Sequence, residues 1–352
     1  MGWSCTSLDE RRSAETIEPC TVGQRSHALE SSVRAGRIHP ATFMALVPRG
    51  ENLGRAGACI TPQGRLLVDV SAHLGLRTPT DHRAFTGYMF APPARHVCGR
   101  VAVLAAASAG NYYHWLFDAL PRLRIIERAG IPLDSIDAFI VPQSPLRAMN
   151  ETLSSLGIGA DRLVQTRHMS RVWADELLIP SLPGYSGNPT GESIQALRRW
   201  FTEVPRSQPA GPKRILVERV GRRVVTNGAE LRQVARQHGF ECVNMDGMPF
   251  MHQVSLFADA EAVIGVHGAA LSNLAFCAPA TRVLELLSPA YANGCFAALC
   301  AEAGHQYHYL LGKGVVADHP RARWKDIEID PALVGAAIRR LLETSDSRSD
   351  RP

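Results

Sequence analysis

The chain has 352 residues, of which 45% are hydrophobic and 20% are charged, and its formal net charge is +5 at pH 7. These values are typical of a globular protein and exclude a fibrous or disordered chain, and the length is sufficient for two domains of ordinary size. The positive charges are mostly arginines spread along the chain, so nucleic acid is not an expected partner, whereas an anionic small molecule is.

The sequence contains no apolar run long enough to cross a bilayer, and its first residues lack the charged-then-apolar order of a signal peptide. None of its eight cysteines forms a Cys-x-x-Cys pair, and several lie in apolar runs, as buried thiols do. We therefore expect a protein of the reducing cytoplasm. The mild positive charge leaves weak peripheral contact with the inner membrane face as a second location, and the sequence does not indicate an oligomeric state.

The first half of the chain is predicted to contain an arm, a lobe and the start of a linker. Residues 1–36 are polar and poorly patterned, which predicts a loose N-terminal arm. Residues 37–185 are predicted to form a lobe of strands and helices, in which Asn111–Ala129 has apolar residues at helical spacing and stops at Gly130. Two stretches rich in serine, proline and glycine then predict a linker over residues 186–212.

Strands and helices alternate regularly after the linker. Residues 213–330 begin with the strand Arg214–Glu218 and include the strand Ala262–Val266, with helices between them. This alternation predicts a parallel, doubly wound sheet, which binds ligands at the carboxyl ends of its strands. Residues 331–352 are predicted to form an amphipathic helix followed by a polar tail.

The turn after the strand Ala262–Val266 has the composition of a phosphate-type site. The strand ends in His267, Gly268 and Ala269 and passes directly into a helix start made of small residues. Gly268 has no side chain, so a bulky anion or sugar can approach the backbone there. The helix that follows directs its unpaired N–H groups and the positive end of its dipole at the same place. The sequence therefore predicts an anion site beside the His267 imidazole.

A second motif pairs an imidazole with a carboxylate. His114 and Asp118 are four residues apart, so on a helix they share one face, where Asn111 begins the turn and Arg122 extends the row. An imidazole and a carboxylate on one face can act as a base whose partner tunes its proton affinity. The pair can equally fix the end of a helix. A metal site is disfavoured because two ligands alone do not complete one.

The motifs occur together in an order that resembles glycosyltransferase family 61. The segments are N-Y-Y-H-W-L-F-D-A-L-P-R-L, R-I-L-V-E-R with R-R-V-V-T-N, V-I-G-V-H-G-A-A-L-S-N-L-A-F-C-A-P and R-V-L-E-L-L, and they extend over roughly residues 100–311. Bacterial members of that family are described as transferases of the capsular-polysaccharide type.

The resemblance implies an α/β, GT-B-like fold with two Rossmann-like lobes and a cleft between them. In that fold the C-terminal lobe holds the nucleotide sugar and the N-terminal lobe faces the acceptor. The resemblance further implies an inverting transfer from a UDP-linked or similar donor to a hydroxyl of a glycan or lipid-linked acceptor. Such a reaction would belong to surface or secreted polysaccharide biosynthesis, and no metal or other cofactor is expected.

Roles of individual residues also follow from the resemblance. Asp118 stands at the family's carboxylate position and is expected to be the base, with His114 as its neighbour or as the alternative base. Asn111 and Arg122 are expected to contact the acceptor or to support the helix. The residues expected to bind the donor are His267, Gly268, Ala269, Arg219, Arg223, Asn273 and Glu285.

Within the donor set, the helix after Gly268, His267 and the two arginines are expected to stabilise the charge of the departing diphosphate. Glu285 is expected to accept hydrogen bonds from ribose hydroxyls, with a capping or salt-bridging carboxylate as the alternative. Asn273 is expected to bond either a phosphate or a local backbone group. The chain departs from the family pattern at two positions. Glu218 replaces a serine before the first arginine, and Gly228 replaces an acidic residue.

Three other functions remain as alternatives. The first is another GT-B enzyme of sugar-nucleotide chemistry, an epimerase or a hydrolase. The second is a protein that binds nucleotide sugars without catalysis, against which the presence of both Asp118 and His267 argues. The third, a dinucleotide-dependent oxidoreductase, is disfavoured because no G-x-G-x-x-G motif follows a predicted strand.

Overall fold

A computed structural model of the chain describes residues 3–34, 38–71, 82, 85, 92–204, 209–314 and 324–343. The chain forms two compact units. Unit 1 comprises residues 1–13 and 38–196, and unit 2 comprises residues 14–37 and 197–352. The predicted polar tail, residues 344–352, lies outside the described residues, as do parts of the predicted arm and linker.

Sixteen strands are found in the described part of the chain. In chain order they are β1 (Ser4–Ser7), β2 (Arg12–Ser13), β3 (Cys20–Thr21), β4 (Ile38–His39), β5 (Phe43–Pro48), β6 (Glu51–Leu53), β7 (Ala58–Ile60), β8 (Arg95–Val103), β9 (Ala138–Pro142), β10 (Leu163–Thr166), β11 (Arg171–Pro180), β12 (Arg214–Glu218), β13 (Glu241–Asn244), β14 (Ala262–Val266), β15 (Arg282–Leu287) and β16 (Gln306–Leu311).

The helices are of three kinds. The α-helices are His27–Arg34, Tyr112–His114, Arg122–Arg128, Arg147–Ser155, Gly191–Phe201, Gly228–Gln237, Phe250–Asp259, Cys295–Ala303 and Pro331–Glu343. A π-helix covers Trp115–Ala119. The 3₁₀-helices are Val68–Val70, Leu133–Ser135, Ala160–Arg162 and Ala269–Phe276. None of the described helices has both the length and the apolar character needed to cross a bilayer.

Unit 1 is built on a mixed sheet with the strand order β1-β5-β11-β8-β9-β10, to which β6 and β7 are attached through β11. The strands β11, β8, β9 and β10 run parallel, whereas β1 and β5 pair antiparallel at one side. Apolar side chains of these strands form the core, with Val101, Val103, Ile140 and Leu177 all inaccessible to solvent. A separate antiparallel pair joins β2 and β4.

Unit 2 has a six-stranded parallel sheet with the order β13-β12-β14-β15-β16-β3. Counting β12 to β16 as the first to fifth strands, their spatial order is 2-1-3-4-5, which is a common order of doubly wound sheets. The order reverses between β12 and β14. In such sheets the ligand binds outside the carboxyl ends of the strands at this switch point, so the fold directs attention to the residues after Glu218 and Val266.

The α/β class expected from the sequence is confirmed, and both units contain parallel strands. The finer prediction, a GT-B-like pair of lobes with a cleft between them, stays a prediction. The strands expected at Arg214–Glu218 and Ala262–Val266 are found with the same bounds, because short apolar runs between turn residues predict strands directly.

The N-terminal residues differ from the loose arm predicted over residues 1–36. Strand β3 pairs with β16 at the edge of the unit 2 sheet. The hydroxyl of Tyr309 in β16 accepts a hydrogen bond from the backbone N–H of Ser26 and donates one to the carboxylate of Glu30, at 3.0 and 2.7 Å. These buried polar contacts lie far apart in sequence, so the composition of the segment alone does not reveal them.

The predicted linker, residues 186–212, contains a helix as well as irregular chain. Helix Gly191–Phe201 buries Ile194, Leu197 and Phe201, which recur at helical spacing. The division between the two units falls within this helix, after Ala196. The residues before it, from Ser181 to Thr190, belong to unit 1, and two of them contact a candidate catalytic residue.

Candidate active site

The helix predicted at Asn111–Ala129 is interrupted, and the interruption carries the His–Asp motif. The Oδ1 atom of Asn111 accepts a hydrogen bond of 2.9 Å from the backbone N–H of Tyr113 and so caps the helix. A π-helix, Trp115–Ala119, then precedes Pro121, which lacks an N–H donor and cannot continue a regular ladder. Such π-turns are frequently found at functional sites. Asn111 thus supports the helix, and its expected contact with the acceptor stays a prediction.

His114 and Asp118 form the contact that their spacing predicts. Nδ1 of His114 lies 2.7 Å from Oδ2 of Asp118. The Asp118 side chain is 4% exposed, whereas the His114 side chain is 22% exposed. Because a carboxylate only accepts hydrogen bonds, Nδ1 carries the proton in this pair, and Nε2 has no hydrogen-bond partner among the described residues. The imidazole is therefore the member of the pair that is accessible from solution, and the carboxylate is buried on its Nδ1 side.

Two further groups from the loop between β11 and helix Gly191–Phe201 bond the Asp118 carboxylate. The hydroxyl of Ser186 donates to Oδ2 at 2.5 Å, and the backbone N–H of Gly187 lies 3.4 Å from Oδ1. The loop is held in turn by the Tyr113 hydroxyl, which donates to the Gly187 carbonyl at 3.0 Å. Both carboxylate oxygens are thus engaged, which favours an orienting role for Asp118 and leaves His114 as the group able to take a proton.

Arg122 is buried and supports the backbone. It is inaccessible to solvent, and Nη1 donates to the carbonyls of Val103 and Ala105 at 3.2 and 2.8 Å. Nη2 lies 3.4 Å from the carbonyl of Val70. Burial lowers the pKa of Arg122 to about 10. Of its two expected roles, acceptor contact or structural support, the structure gives it the second, because its guanidinium is bonded to backbone carbonyls inside unit 1.

In unit 2, the carboxyl ends of β12 and β14 bring Arg219 and His267 together. The two strands are hydrogen-bonded neighbours, and each residue follows its strand directly. Nη1 of Arg219 donates to the carbonyl of His267 at 3.1 Å. A Cβ atom at Gly268 would lie 1.5 Å from the same Nη1 atom. The glycine is therefore required for close approach of the guanidinium, and its backbone is extended, with φ 174°.

Arg223 is the second cation at this place. Its backbone is in the left-handed region, with φ 59°, which is uncommon for a residue other than glycine and is often found at functional sites. The side chain is 9% exposed, and its Nε and Nη1 atoms have no hydrogen-bond partner among the described residues. The guanidinium lies over the rings of Tyr291 and Trp324, at 5.2 and 5.6 Å from their centroids.

The electrostatics of the two arginines favour an anion. Burial, and secondarily the charge of Arg223, lower the pKa of Arg219 to about 10. Burial likewise lowers the pKa of Arg223, against the influence of Tyr291 and other groups. Two partly desolvated guanidinium groups repel each other, and a phosphate between them would relieve that repulsion and accept their N–H groups. This is the strongest indication of a ligand in unit 2.

His267 is fixed by a chain of buried groups. Its Nδ1 atom lies 2.5 Å from Oε1 of Glu285, and Oε2 of Glu285 accepts a hydrogen bond of 2.5 Å from the Tyr307 hydroxyl. Burial raises the pKa of Tyr307, so it remains a donor. The imidazole packs edge-on against Tyr291 and Phe296. With Nδ1 committed to the carboxylate, Nε2 is the atom that His267 can offer to a ligand.

Of the two roles expected for Glu285, this arrangement shows the paired carboxylate and not the ribose contact. Glu285 is inaccessible to solvent, and both of its oxygens already accept hydrogen bonds. It orients His267. Asn273 is also buried, and its Nδ2 atom donates to Gln253 and to the carbonyl of Ala270, both at 3.0 Å. Of its two expected roles, the local backbone bond is the one found.

The remaining predicted positions lie where expected or are explained locally. Ala269 begins the 3₁₀-helix Ala269–Phe276, directly after Gly268. Glu218 accepts a hydrogen bond of 2.8 Å from Arg232, so its charge is paired within the sheet-and-helix layer. Gly228 is the first residue of helix Gly228–Gln237. At the two departures from the family pattern, Glu218 therefore forms a local ion pair and Gly228 begins a helix.

Sequence patterns did not identify the residues that surround these groups. Ser186 and Gly187 stand in a stretch that composition marks only as a loop, and Tyr291, Tyr307 and Trp324 lack any motif. Each contacts its partner across a long sequence separation. A hydroxyl or an aromatic ring in isolation does not predict such a contact.

The chain matches the family model described as Glycosyltransferase 61 over residues 112–284, about half of its length. This range includes His114, Asp118, both arginines and His267, and it confirms the family resemblance read from the motifs. No curated protein matches the chain. On the family match, together with the motifs that fall inside it, we identify this chain as a glycosyltransferase of family 61.

Proposed function

We propose that the protein is an inverting glycosyltransferase that takes a sugar from a UDP-linked or other nucleotide-sugar donor. The acceptor is a hydroxyl of a glycan or lipid-linked glycan in surface or secreted polysaccharide synthesis. The reaction proceeds in the cytoplasm or at the inner face of its membrane, and it uses no metal. The family match supports the transferase chemistry. The donor, the acceptor, the inversion, the location and the independence of metal are our proposal.

The observation that carries the donor proposal is the buried Arg223 guanidinium beside Arg219. Nε and Nη1 of Arg223 lack a partner among the described residues, although a buried unpaired donor costs about 1–3 kcal/mol. A diphosphate satisfies such donors with charge-assisted hydrogen bonds. Gly268 has no side chain, so the Arg219 guanidinium lies close to the backbone of this turn, where it can contribute to binding the same group. The switch point of the sheet is also the usual location of a bound nucleotide.

For the chemical step we propose His114 as the base and Asp118 as the residue that orients it. The acceptor oxygen attacks the anomeric carbon while its proton passes to Nε2 of His114, and the bond from that carbon to the phosphate oxygen breaks. Inversion follows from this single displacement. The negative charge that develops on the leaving diphosphate is stabilised by Arg219, Arg223 and the Nε2 side of His267.

Hydrolysis of the donor is the second candidate, because the His114–Asp118 pair would accept a proton from water as readily as from a sugar hydroxyl. The two reactions differ in their products. A transferase needs an acceptor for turnover, whereas a hydrolase releases free sugar from the nucleotide sugar alone.

Donor binding is the first experiment. UDP, GDP, CDP and TDP sugars are screened by thermal shift, because a ligand that binds only the native protein raises Tm. Arg223→Lys keeps the positive charge but loses the planar, fork-shaped set of guanidinium N–H donors. We expect it to raise the Kd of the nucleotide that binds by about 10- to 100-fold. Arg214→Lys, at the exposed start of β12, the strand that precedes Arg223 in the chain, is the matched control. Absence of a shift with every nucleotide sugar would contradict the proposal.

A further inference from the structure

A group of three metal-binding side chains lies on unit 1, apart from the residues assigned to sugar transfer. His96 and Cys98 lie on β8, and Asp175 lies on the neighbouring strand β11. One ligand atom from each residue can be chosen so that all three lie within 4.8 Å of one another. The three side chains are exposed, so an ion from solution can reach them.

A β-bulge assembles the group. His96 and Cys98 are two residues apart and therefore share one face of the strand. Between the pairs Val97–Ala174 and Arg100–Glu176 the strand β8 has one extra residue, so that Cys98 and Gly99 lie opposite Asp175 alone. Gly99 takes φ 83°, a conformation that favours glycine. Bulges of this kind redirect side chains and are often found beside functional sites.

The imidazole is held so that one nitrogen is available to a metal. Nε2 of His96 lies 2.9 Å from Oδ1 of Asp175, and Oδ2 of that carboxylate accepts a hydrogen bond of 2.7 Å from the Gly99 N–H. The ring also stacks on Trp173 at a centroid distance of 3.8 Å. A carboxylate that accepts the distal N–H of a histidine is the usual second partner of metal-ligating imidazoles, because it fixes the tautomer and raises basicity.

The remaining nitrogen faces the thiol. Nδ1 of His96 lies 4.0 Å from Sγ of Cys98. Tetrahedral zinc with Zn–N and Zn–S bonds of ordinary length separates its nitrogen and sulfur ligands by about 3.5 Å. A small movement of the exposed Cys98 side chain closes that difference. Thiolate and imidazole ligands favour zinc and other borderline or soft ions over Mg²⁺ and Ca²⁺, which prefer oxygen.

We propose that His96 Nδ1 and Cys98 Sγ supply two of the ligands of a Zn²⁺-class ion whose tetrahedral coordination groups from solution complete, with Asp175 orienting the imidazole. Water or an incoming group fills the other coordination positions, so the ion exchanges with solution. The site is distinct from the sugar-transfer residues. It lies toward the start of β8, whereas the segment that carries His114 and Asp118 follows the end of that strand, about 15 Å further along at the usual strand rise.

The test is a titration of the untagged, full-length protein with Co²⁺, a spectroscopic substitute for Zn²⁺. We expect a thiolate-to-cobalt absorption band in the near ultraviolet that Zn²⁺ abolishes and Mg²⁺ does not. Cys98→Ser should remove the band, and Asp175→Ala should weaken Zn²⁺ binding about 10-fold or more. Cys5→Ser, which changes another exposed cysteine of unit 1, is the matched control and should keep it.

Three outcomes would overturn the proposal. They are absence of the band at stoichiometric Co²⁺, survival of the band in Cys98→Ser, and its equal loss in Cys5→Ser. Because the changed residues are exposed, all variants are expected to fold, and circular dichroism checks this directly. A test of donor binding by thermal shift is independent, so the fate of the glycosyltransferase proposal does not decide the metal site.

Discussion

The hydroxyl of Ser186 donates a hydrogen bond of 2.5 Å to Oδ2 of Asp118, the same oxygen that lies 2.7 Å from Nδ1 of His114. A loop residue 68 positions away thus helps to hold the carboxylate that orients the imidazole. The contact makes Ser186 a positioning residue in the proposed mechanism.

Ser186→Ala should lower kcat about 10-fold, because a hydrogen bond to a charged group contributes roughly 1.5–3 kcal/mol. The Kd of the donor should not change, since no donor-binding residue is altered. Steady-state kinetics gives kcat and a nucleotide-binding assay gives the donor Kd, so the two effects are measured separately. Ser135→Ala removes an exposed hydroxyl of the same unit and is the control. An unchanged kcat for Ser186→Ala would show that the contact has no catalytic consequence.

Asp118→Asn should lower kcat by roughly 10³- to 10⁴-fold, as loss of the orienting carboxylate does in other histidine-based enzymes. The asparagine amide can donate a hydrogen bond to Nδ1 of His114. The imidazole proton then lies on Nε2, so this atom can no longer accept the proton of the acceptor. His114→Ala should be as severe, and nucleotide binding should survive in both variants. Asp134→Asn, at an exposed position, is the control. If His114→Ala kept substantial turnover while Asp118→Asn did not, Asp118 would itself be the base.

Two glycine substitutions should separate donor affinity from stability. At Gly268 a Cβ meets the mobile end of Arg219, so Gly268→Ala should fold with little change in Tm but bind the donor about 10-fold or more weakly. At Gly265 a Cβ meets the Leu271 side chain at 2.5 Å, and Leu271 is inaccessible to solvent. Gly265→Ala should therefore lower the free energy of unfolding by about 1–3 kcal/mol. Thermal unfolding with and without nucleotide measures stability and donor affinity for both variants. Weaker donor binding in Gly265→Ala together with a large loss of stability in Gly268→Ala would contradict the assigned donor site.

Stability should depend on pH through His305. Burial lowers its folded-state pKa from 6.5 to about 4, against the influence of its hydrogen bond to the carbonyl of Leu274. Between these values the unfolded chain binds a proton that the folded chain does not. The contribution of His305 to the free energy of unfolding should therefore be complete above pH 6.5. It should decrease as the pH falls toward 4, by up to roughly 3 kcal/mol.

Urea unfolding at pH 7 and pH 5 tests this dependence. His305→Gln keeps an N–H donor for Leu274 but does not titrate, so its pH dependence should be weaker than that of the parent. His308, whose pKa burial also lowers to about 4, should supply the dependence that remains. An equal pH dependence in parent and variant would mean that His305 does not contribute.

Local patterns predicted much of the fold. The strands Arg214–Glu218 and Ala262–Val266 and the helix Pro331–Glu343 have the bounds expected from the sequence, because apolar period and flanking turn residues act over a few positions. The helix over Asn111–Ala129 was predicted as continuous, and the π-turn before Pro121 was missed.

Sequence by itself determined the family and the pairing of His114 with Asp118, since residues four apart meet on any helical turn. Tertiary structure alone decided what surrounds that pair and the donor residues. It placed Ser186 on Asp118, turned Glu285 inward to His267, and left Nε and Nη1 of the buried Arg223 without a hydrogen-bond partner in the described chain. Contacts between distant segments depend on sheet order and packing, which no local spacing encodes.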